Sequence, residues 1–160
     1  GGHCIPVYPR LYLSTDPDAD IVRTARLLNA SMPERLVAQA AGILGDLTGL
    51  EAVVLGASYR GGVKETAFSG VFPTVAALTA RGAHVRVHDP LYDDDELRAL
   101  GFAPYALGDA ADVAVLQTDH ADYRALAPAD LPGIRLLVDG RNATDPATWA
   151  GTPRIVVGAA

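Results

Sequence analysis

The stretch "EAVVLGASYRGG", residues 51–62, marks the point where the pattern of the sequence changes. Four apolar residues follow Glu51 without alternation and lead into Gly56, which is typical of a short strand buried on both faces. Gly61 and Gly62 follow within the same stretch. A glycine-rich connection directly after a buried strand allows backbone N–H groups to approach an anion.

Similar strand-like and helix-like segments alternate along the rest of the chain. We predict further strands in "AHVRVHDP", "DVAVLQT", "IRLLVDG" and "PRIVVG", and helices in "FPTVAALTARG", "DDDELRALG" and, for a turn or two, "DYRALA". This alternation predicts right-handed crossovers and a doubly wound, Rossmann-like α/β domain with a parallel sheet over residues 50–160. Such domains bind ligands at the carboxyl ends of their strands. Here those ends are residues 56–62, 88–90, 118–120 and 139–142.

The segment before this domain has a different character. Its glycines and prolines predict a loop over residues 1–14 that turns helical after Pro9. Two helices are predicted next, in "DPDADIVRTARLLNA" and in "SMPERLVAQAAGIL". The second would begin at Ser31 as its N-cap, with Pro33 in the first turn and Glu34 completing a capping box, and would be ended by Gly45 and Gly49. Its apolar stripe, Leu36, Val37, Ala40, Ala41 and Leu44, is wide enough for a helix–helix contact.

Composition excludes several classes of partner. The 160 residues carry a net charge of -6, which argues against nucleic acid and anionic membrane surfaces. No apolar run approaches the roughly 20 residues that a spanning helix needs. A single cysteine excludes an intrachain disulfide and favours a reducing, cytoplasmic compartment. Gly1 already lies inside functional-looking sequence, so we expect the chain to be a fragment.

Candidate ligand-binding residues follow two of the predicted strands. The dinucleotide fingerprint G-x-G-x-x-G and the phosphate-binding Walker loop are both absent from residues 56–65, and a turn without a ligand remains an equal alternative. Arg60 favours a phosphate there, because a guanidinium pairs well with phosphate. Arg141 follows another strand and could point toward the same crevice. The four histidines share no ligand spacing with Cys4 or with one another, so no metal site is predicted.

Cys4 raises the question of covalent chemistry. A lone cysteine is more often an inert, buried residue than a nucleophile. The glycines before it and Pro6 after it instead predict an exposed, shaped loop. No general base stands beside it in the sequence, so the residues alone leave both interpretations open.

Several motifs, in order, resemble one known family. "GGHCIPVYPRLYL" is similar to the cysteine loop of the UDP-glucose/GDP-mannose dehydrogenase family, and most similar to its UDP-N-acetylhexosamine branch. Later landmarks of the family resemble "RLLNASMPERLV", "GASYRGGVKETAFSG", "GAHVRVHDP", "LQTDH" and "VDGRN". The resemblance covers nearly the whole chain.

The resemblance implies the carboxyl-terminal part of an NAD-dependent UDP-sugar 6-dehydrogenase. Such an enzyme oxidises the primary alcohol of the sugar to a uronic acid through a cysteine thioester. Residues 1–48 would be part of the central dimerisation domain and residues 50–160 the UDP-binding domain. The missing amino-terminal domain would bind most of the NAD, so the fragment alone should be inactive.

The same resemblance implies roles for particular residues. Cys4 would be the nucleophile, and the UDP-sugar contacts would be Gly1, Gly2, Tyr59, Arg60 and Arg141. A homodimer would form through the central-domain helix.

Two departures and two rival hypotheses accompany this interpretation. Tyr8 stands where the family has an aspartate, and a phenol lacks a carboxylate's charge at neutral pH. Ala67 stands where the family usually has an arginine, whereas Phe68 fits branches with a tyrosine there. The first rival is a stand-alone nucleotide-binding module with an idle cysteine. The second is an interaction piece that only pairs subunits through "SMPERLVAQAAGIL".

Overall fold

A computed structural model describes residues 2–158. Two helices precede an α/β unit built on six strands. The helices are α1 (Cys4–Thr15), α2 (Asp20–Leu44), α3 (Val71–Ala80) and α4 (Asp94–Ala99). The strands are β1 (Glu51–Leu55), β2 (His84–His88), β3 (Ala103–Pro104), β4 (Val113–Leu116), β5 (Leu136–Asp139) and β6 (Arg154–Val156). Short 3₁₀ helices cover Ala121–Ala125 and Pro128–Asp130.

The sheet has the order β3-β2-β1-β4-β5-β6, and every neighbouring pair is parallel. The chain winds outward from β1 to β3 and then returns to place β4 on the other side of β1. Ala52 in the central strand therefore pairs with both Val85 and Val113. This order is that of a Rossmann sheet, whose ligand crevice lies where the winding reverses. The predicted doubly wound parallel sheet is confirmed.

Both faces of the central strands are buried, as their unbroken apolar runs predict. On one face, Val54 of β1 belongs to a core cluster that includes Val37 and Ala40 of α2 and Leu78 of α3. The opposite face of β1 packs Val53 and Leu55 into a second cluster, which includes the buried Tyr123 and Trp149. The indole Nε1 of Trp149 donates to the carbonyl oxygen of Leu126, 3.0 Å away. Helix α2 thus contributes part of the core on which the sheet rests.

The predicted loop over residues 1–14 is wrong, because α1 begins at Cys4. Pro6 is the third residue of this helix, where a backbone N–H has no partner within the helix, so its ring removes no hydrogen bond. Pro9 lies inside the helix and costs one backbone bond. The helix continues through Pro9 in spite of that lost bond, and Pro6 is its buried residue.

The predicted pair of helices after residue 16 is also wrong, because α2 runs unbroken through Pro33 for 25 residues. Ser31 is not an N-cap; its Oγ donates to the carbonyl oxygen of Leu28 at 2.8 Å, as serines inside helices often do. Glu34 forms no capping box and instead accepts a bond from Arg81 Nη2 at 2.9 Å. The buried Val37 and Ala40 anchor the helix beyond the proline.

The remaining predicted elements are present, and only short elements of the fold have no counterpart among the predictions. Strand β3 has two residues, Ala103 and Pro104, which is too few to show a pattern. The predicted short helix at "DDDELRALG" is α4, where Asp93 and Glu96 form a capping box. Among residues 2–158, no helix combines the length and the apolarity needed to cross a membrane.

Gly56 allows β1 to end directly against the connection that follows β4. Its φ is +104°, and an added Cβ would lie 2.2 Å from Thr118 Cβ. Its N–H donates to the carbonyl oxygen of His88 at 2.7 Å. The junction between three strand ends therefore has no space for a side chain at this position.

We expect Gly56→Ala to lower the free energy of unfolding by at least about 2 kcal/mol, because the substitution combines a strained backbone with overpacking. Gly42→Ala is the control: no atom lies within 4 Å of its added Cβ in the interior of α2, and alanine there should stabilise by about 0.5–1 kcal/mol. Urea denaturation of both variants measures the difference. Equal stability of Gly56→Ala and the parent would contradict the packing at the strand ends.

Candidate functional site

The carboxyl ends of the strands meet at one edge of the sheet, as the sequence predicts. Thr118 Oγ1, after β4, donates to the carbonyl oxygen of Ser58, after β1, at 2.5 Å. Gly140, after β5, donates its N–H to the Leu116 carbonyl oxygen at 3.1 Å. The connections that leave β1, β4 and β5 are therefore hydrogen-bonded to one another along this edge.

Asp89, directly after β2, is the buried centre of the edge, with 2 % of its surface exposed. Its Oδ2 accepts the N–H groups of Ala57 and Ser58 at 2.8 and 2.9 Å, and lies 3.1 Å from His120 Nε2. Burial acts to raise the pKa of the Asp89 carboxyl, but the bonds from Ser58 and Leu91 lower it overall. The N–H groups that were expected to approach an external anion thus already bind an internal one.

The aromatic groups around Asp89 complete a buried polar cluster. His120 is 1 % exposed, and its Nδ1 accepts the Gly62 N–H at 3.3 Å, so the ring proton lies on Nε2, facing Asp89. Tyr123 donates its hydroxyl to the His88 carbonyl oxygen at 2.9 Å and lies 2.8 Å from His88 Nδ1. Burial lowers the pKa of His88 and raises that of Tyr123. Both groups are therefore held neutral inside the fold.

The connection after β5 is organised by a second buried carboxylate, Asp139. Its oxygens accept the N–H groups of Arg141, Ala143 and Thr144 at 2.9–3.2 Å and the Thr144 hydroxyl at 2.6 Å. Burial acts to raise the pKa of Asp139, but the bonds from Thr144, Arg141 and Ala143 lower it overall. The backbone that carries the Arg141 side chain is consequently fixed.

A cleft of about 550 Å³ lies between the two amino-terminal helices and the carboxyl edge of the sheet. Arg141 reaches it from the sheet, whereas Arg10 comes from α1 and Arg26 from α2. Arg26 donates through Nη1 to Asn29 Oδ1 at 3.2 Å, and its buried Nε has no partner among residues 2–158. Aromatic surface is supplied by Tyr59, Phe68 and Phe72. A cleft with three guanidinium groups and few acids is suited to an anionic ligand that also has a planar, apolar part.

Arg10 and Arg26 are absent from the residues singled out in the sequence. Each lies on a helix, 16 positions from the other and more than 100 from Arg141, with no motif in common. Their approach to Arg141 depends on how α1 and α2 fold back against the sheet. The unbroken length of α2, which the sequence analysis did not predict, contributes to that arrangement.

The structure places some of the residues proposed from the sequence in the cleft and others outside it. Tyr59 and Arg141 line the cleft, but the exposed Arg60 does not. Gly2 packs on the Tyr59 ring, where an added Cβ would lie 3.0 Å from Cε2, and its N–H donates to the Ala67 carbonyl oxygen at 3.0 Å. Gly1 lies outside the described residues.

Cys4 is exposed and is the first residue of α1, immediately before Ile5, which lines the cleft. Tyr8 follows one helical turn later on the same side and is 63 % exposed. The rings of His3 and Phe68 meet edge to face, with 6.2 Å between their centres. Within residues 2–158, no group of three His, Cys, Asp or Glu side chains could hold a metal ion.

Comparison with known proteins gives consistent matches. Residues 53–146 match the family described as "UDP-glucose/GDP-mannose dehydrogenase family, UDP binding domain". The UDP-N-acetyl-D-mannosamine dehydrogenase of Methanocaldococcus jannaschii is 28% identical over 155 residues, which cover 93% of this chain and 36% of that protein. The corresponding Pyrococcus horikoshii enzyme is 30% identical over 154 residues, covering 89% of this chain and 35% of that protein. The chain thus spans about a third of the length of these curated relatives.

Solved structures agree with the sequence matches. The UDP-D-ManNAc dehydrogenase from Pyrococcus horikoshii superposes with a TM-score of 0.79 at 25% identity, covering 99% of this chain and 38% of that one. A UDP-glucose dehydrogenase from Pyrobaculum islandicum superposes with a TM-score of 0.78 at 25% identity, covering 99% of this chain and 37% of that one. The similarity extends over the helices as well as the sheet.

We expect Asp139→Asn to lower the free energy of unfolding at pH 7 by about 3 kcal/mol, because an amide places N–H donors against backbone N–H groups. Since the pKa of Asp139 is lowered on folding, its contribution is complete above about pH 5 and is lost as the pH falls below about 4. The variant's deficit should therefore shrink in acid. Denaturation at a series of pH values, with the exposed Asp18→Asn as control, measures this; a deficit independent of pH would contradict the assignment.

Proposed function

The chain belongs to the UDP-glucose/GDP-mannose dehydrogenase family, and on that premise we propose that it is the UDP-sugar-binding part of an NAD-dependent UDP-sugar 6-dehydrogenase. The whole enzyme would oxidise the primary alcohol of the sugar to a uronic acid in the cytoplasm. One observation carries the proposal: Arg141, on the connection after β5, lines a cleft of about 550 Å³ together with Arg10 and Arg26. The UDP-N-acetyl-D-mannosamine dehydrogenases among its relatives favour a UDP-N-acetylhexosamine as substrate.

The cleft has groups that suit both parts of such a ligand, the charged diphosphate and the flat base or sugar ring. Guanidinium groups pair with phosphate oxygens through two parallel N–H bonds, so three arginines could hold a diphosphate. Tyr59 and Phe68 offer flat apolar surface for a base or a sugar ring. The whole chain has a net charge of -6, yet the residues that line this cleft include three arginines.

Cys4 would act on the sugar at the mouth of the cleft. Two observations support this placement: Cys4 is exposed, and it directly precedes Ile5, which lines the cleft. The sulfur would add to the carbonyl carbon of a sugar aldehyde, and the carbonyl oxygen would take up a proton to give a thiohemiacetal. After oxidation to the thioester, water would displace the sulfur, releasing the uronic acid and the thiol.

When bound to the whole enzyme, NAD would accept the two electrons of each oxidation as a hydride, but the residues of this chain do not fit it. The connection after β1 lacks the dinucleotide fingerprint, and Asp89 already occupies the N–H groups of Ala57 and Ser58. This chain matches about a third of the length of the curated relatives. We therefore propose that NAD binds to the part of the enzyme that corresponds to the other two thirds.

A homodimer is part of the proposal, but not through the stripe suggested by the sequence, because Val37 and Ala40 are buried and Leu36, Ala41 and Leu44 pack against the core of this chain. Several large apolar side chains of α1 and α2 are at least half exposed: Ile5, Leu11, Ile21, Leu27, Leu28 and Ile43. Apolar groups that stay exposed on neighbouring helices are typical of surfaces that bind another protein. A second copy of the chain is the proposed partner.

A stand-alone nucleotide-binding module with an idle cysteine remains the second candidate. The side chain of Cys4 is exposed and forms no hydrogen bond within residues 2–158, as an inert surface thiol would also be. The module and the enzyme share the UDP site and differ in the need for Cys4.

We expect the 160-residue chain to bind UDP, and Arg141→Ala to weaken binding about 10- to 100-fold through loss of a charge-assisted bond. Arg60→Ala should weaken it less, because Arg60 lies outside the cleft. Isothermal titration calorimetry measures both, with Arg98→Ala on α4 as a control that keeps the parent's affinity. Parent-like UDP affinity of Arg141→Ala would place the ligand elsewhere.

We expect Cys4→Ser, introduced into the longer protein that contains this chain, to abolish NAD reduction with a UDP-sugar, because serine adds poorly to an aldehyde. The same change in the 160-residue chain should leave UDP affinity unaltered, which separates catalysis from binding. NADH absorbance and calorimetry are the two measurements. Full turnover of the serine variant would favour the idle-cysteine module.

A further inference from the structure

Asp119 connects the two loops that frame the cleft on the side of the sheet. It lies just after β4, at the point where the winding reverses. Its Oδ1 accepts a bond from Arg141 Nη2 at 2.9 Å and another from the Gly61 N–H at 3.2 Å. One carboxylate oxygen therefore ties the connection after β5 to the connection after β1.

The approach of Gly61 to this position is close. An added Cβ on Gly61 would lie 2.3 Å from the backbone carbonyl oxygen of Asp119. The turn that carries Tyr59 is consequently held against the β4 end by backbone packing as well as by the carboxylate. Partial burial acts to raise the pKa of Asp119, but bonds from its own N–H and from Gly61, together with the charge of Arg141, lower it overall.

Arg141 is fixed at both ends by these contacts. Its backbone N–H donates to Asp139 Oδ1 at 3.0 Å, and its side chain donates to Asp119. Arg10 and Arg26, by comparison, form no ion pair within residues 2–158. A guanidinium has five N–H donors in a rigid plane, so the bond to Asp119 sets the direction of the donors that remain.

We propose that Asp119 is a positioning residue for the anionic ligand of this cleft: its carboxylate orients the Arg141 guanidinium toward a phosphate group. The inference rests on the proposed UDP-binding function and adds a residue that does not itself contact the ligand. The Arg141 side chain is 36% exposed, and the Asp119 side chain 43%. Without Asp119, this long side chain would sample several rotamers, and ordering it would oppose binding.

A competing role for Asp119, in which it weakens ligand binding, predicts different results from a positioning role. A carboxylate beside a phosphate site repels the ligand, so a purely competing Asp119 would bind Arg141 at the ligand's expense. Removing its charge would then strengthen binding, whichever neutral residue replaced it. A positioning role depends instead on an oxygen atom that accepts the bonds from Arg141 and Gly61, and an amide oxygen can accept both.

The test is calorimetric titration of UDP and of uridine into the 160-residue chain and its variants. We expect Asp119→Ala to weaken UDP binding about fivefold or more, and Asp119→Asn to remain within about twofold of the parent. Uridine affinity should be unchanged in both, because uridine lacks the phosphates. In an Arg141→Ala background, Asp119→Ala should cause no further loss. Asp122→Ala, an exposed acid three residues away, is the matched control and should bind UDP as the parent does.

Each contrary result has a definite meaning. The positioning role is wrong if Asp119→Ala binds UDP as tightly as the parent or more tightly. It is also wrong if Asp119→Ala weakens UDP binding as much in the Arg141→Ala background as it does in the parent. A parallel loss of uridine affinity would overturn it too, by indicating a collapsed cleft. If Asp119→Ala does not fold, as judged by thermal melting, Asp119→Ser takes its place with the same expected results. Failure of the folded parent to bind UDP would refute the proposed function itself, and this inference with it.

Discussion

The buried carboxylate of Asp89 is the constraint on which the arrangement of the strand ends depends. It takes up the two N–H groups that follow β1 and pairs with His120 from the β4 connection. A buried charge is tolerated only when hydrogen bonds replace its hydration, and here the fold provides N–H donors from separate connections. Loss of any one connection would leave a buried charge incompletely paired. The edge of the sheet is therefore a cooperative unit.

The same interaction explains why a sheet with the Rossmann strand order has no free N–H groups at Ala57 and Ser58, directly after β1. In dinucleotide-binding domains, the N–H groups after β1 face a pyrophosphate, and an acid after β2 faces a ribose. Here the acid after β2 is Asp89, and it occupies the N–H groups itself. Thr118 lies so close to Gly56 that no side chain fits at that position. Open space lies instead between the edge and the helices α1 and α2, where the cleft is found.

The sequence predicted the sheet well and the helical segment poorly, for physical reasons that differ. Strands buried on both faces must be apolar throughout, so β1, β4 and β5 are visible as short runs that end at glycine or polar residues. The helix signals at Ser31 and Pro33 are local, and local preferences are worth about 1–3 kcal/mol. Burial of the following turn of α2 against the sheet outweighs them. Sequence periodicity alone does not reveal that tertiary contact.

A similar division applies to the cleft. Arg141 could be proposed because strand ends converge at a known edge of a parallel sheet, whereas Tyr59 was implied by the family resemblance. Arg10 and Arg26 reach the cleft only through the packing of α1 and α2, which no motif encodes.

Two carboxylates lie at the carboxyl edge of the sheet, and their different surroundings determine which hydrogen-bond donors they occupy. Asp89 is 2 % exposed and saturated with hydrogen bonds, so its N–H partners are permanently committed to the fold. Asp119, with a side chain 43% exposed, binds one edge of a guanidinium whose other donors stay unassigned. Backbone N–H groups thus hold the strand ends together, while arginine side chains place positive charge along the cleft. That separation allows a chain with a net charge of -6 to offer a positive cleft without weakening its own core.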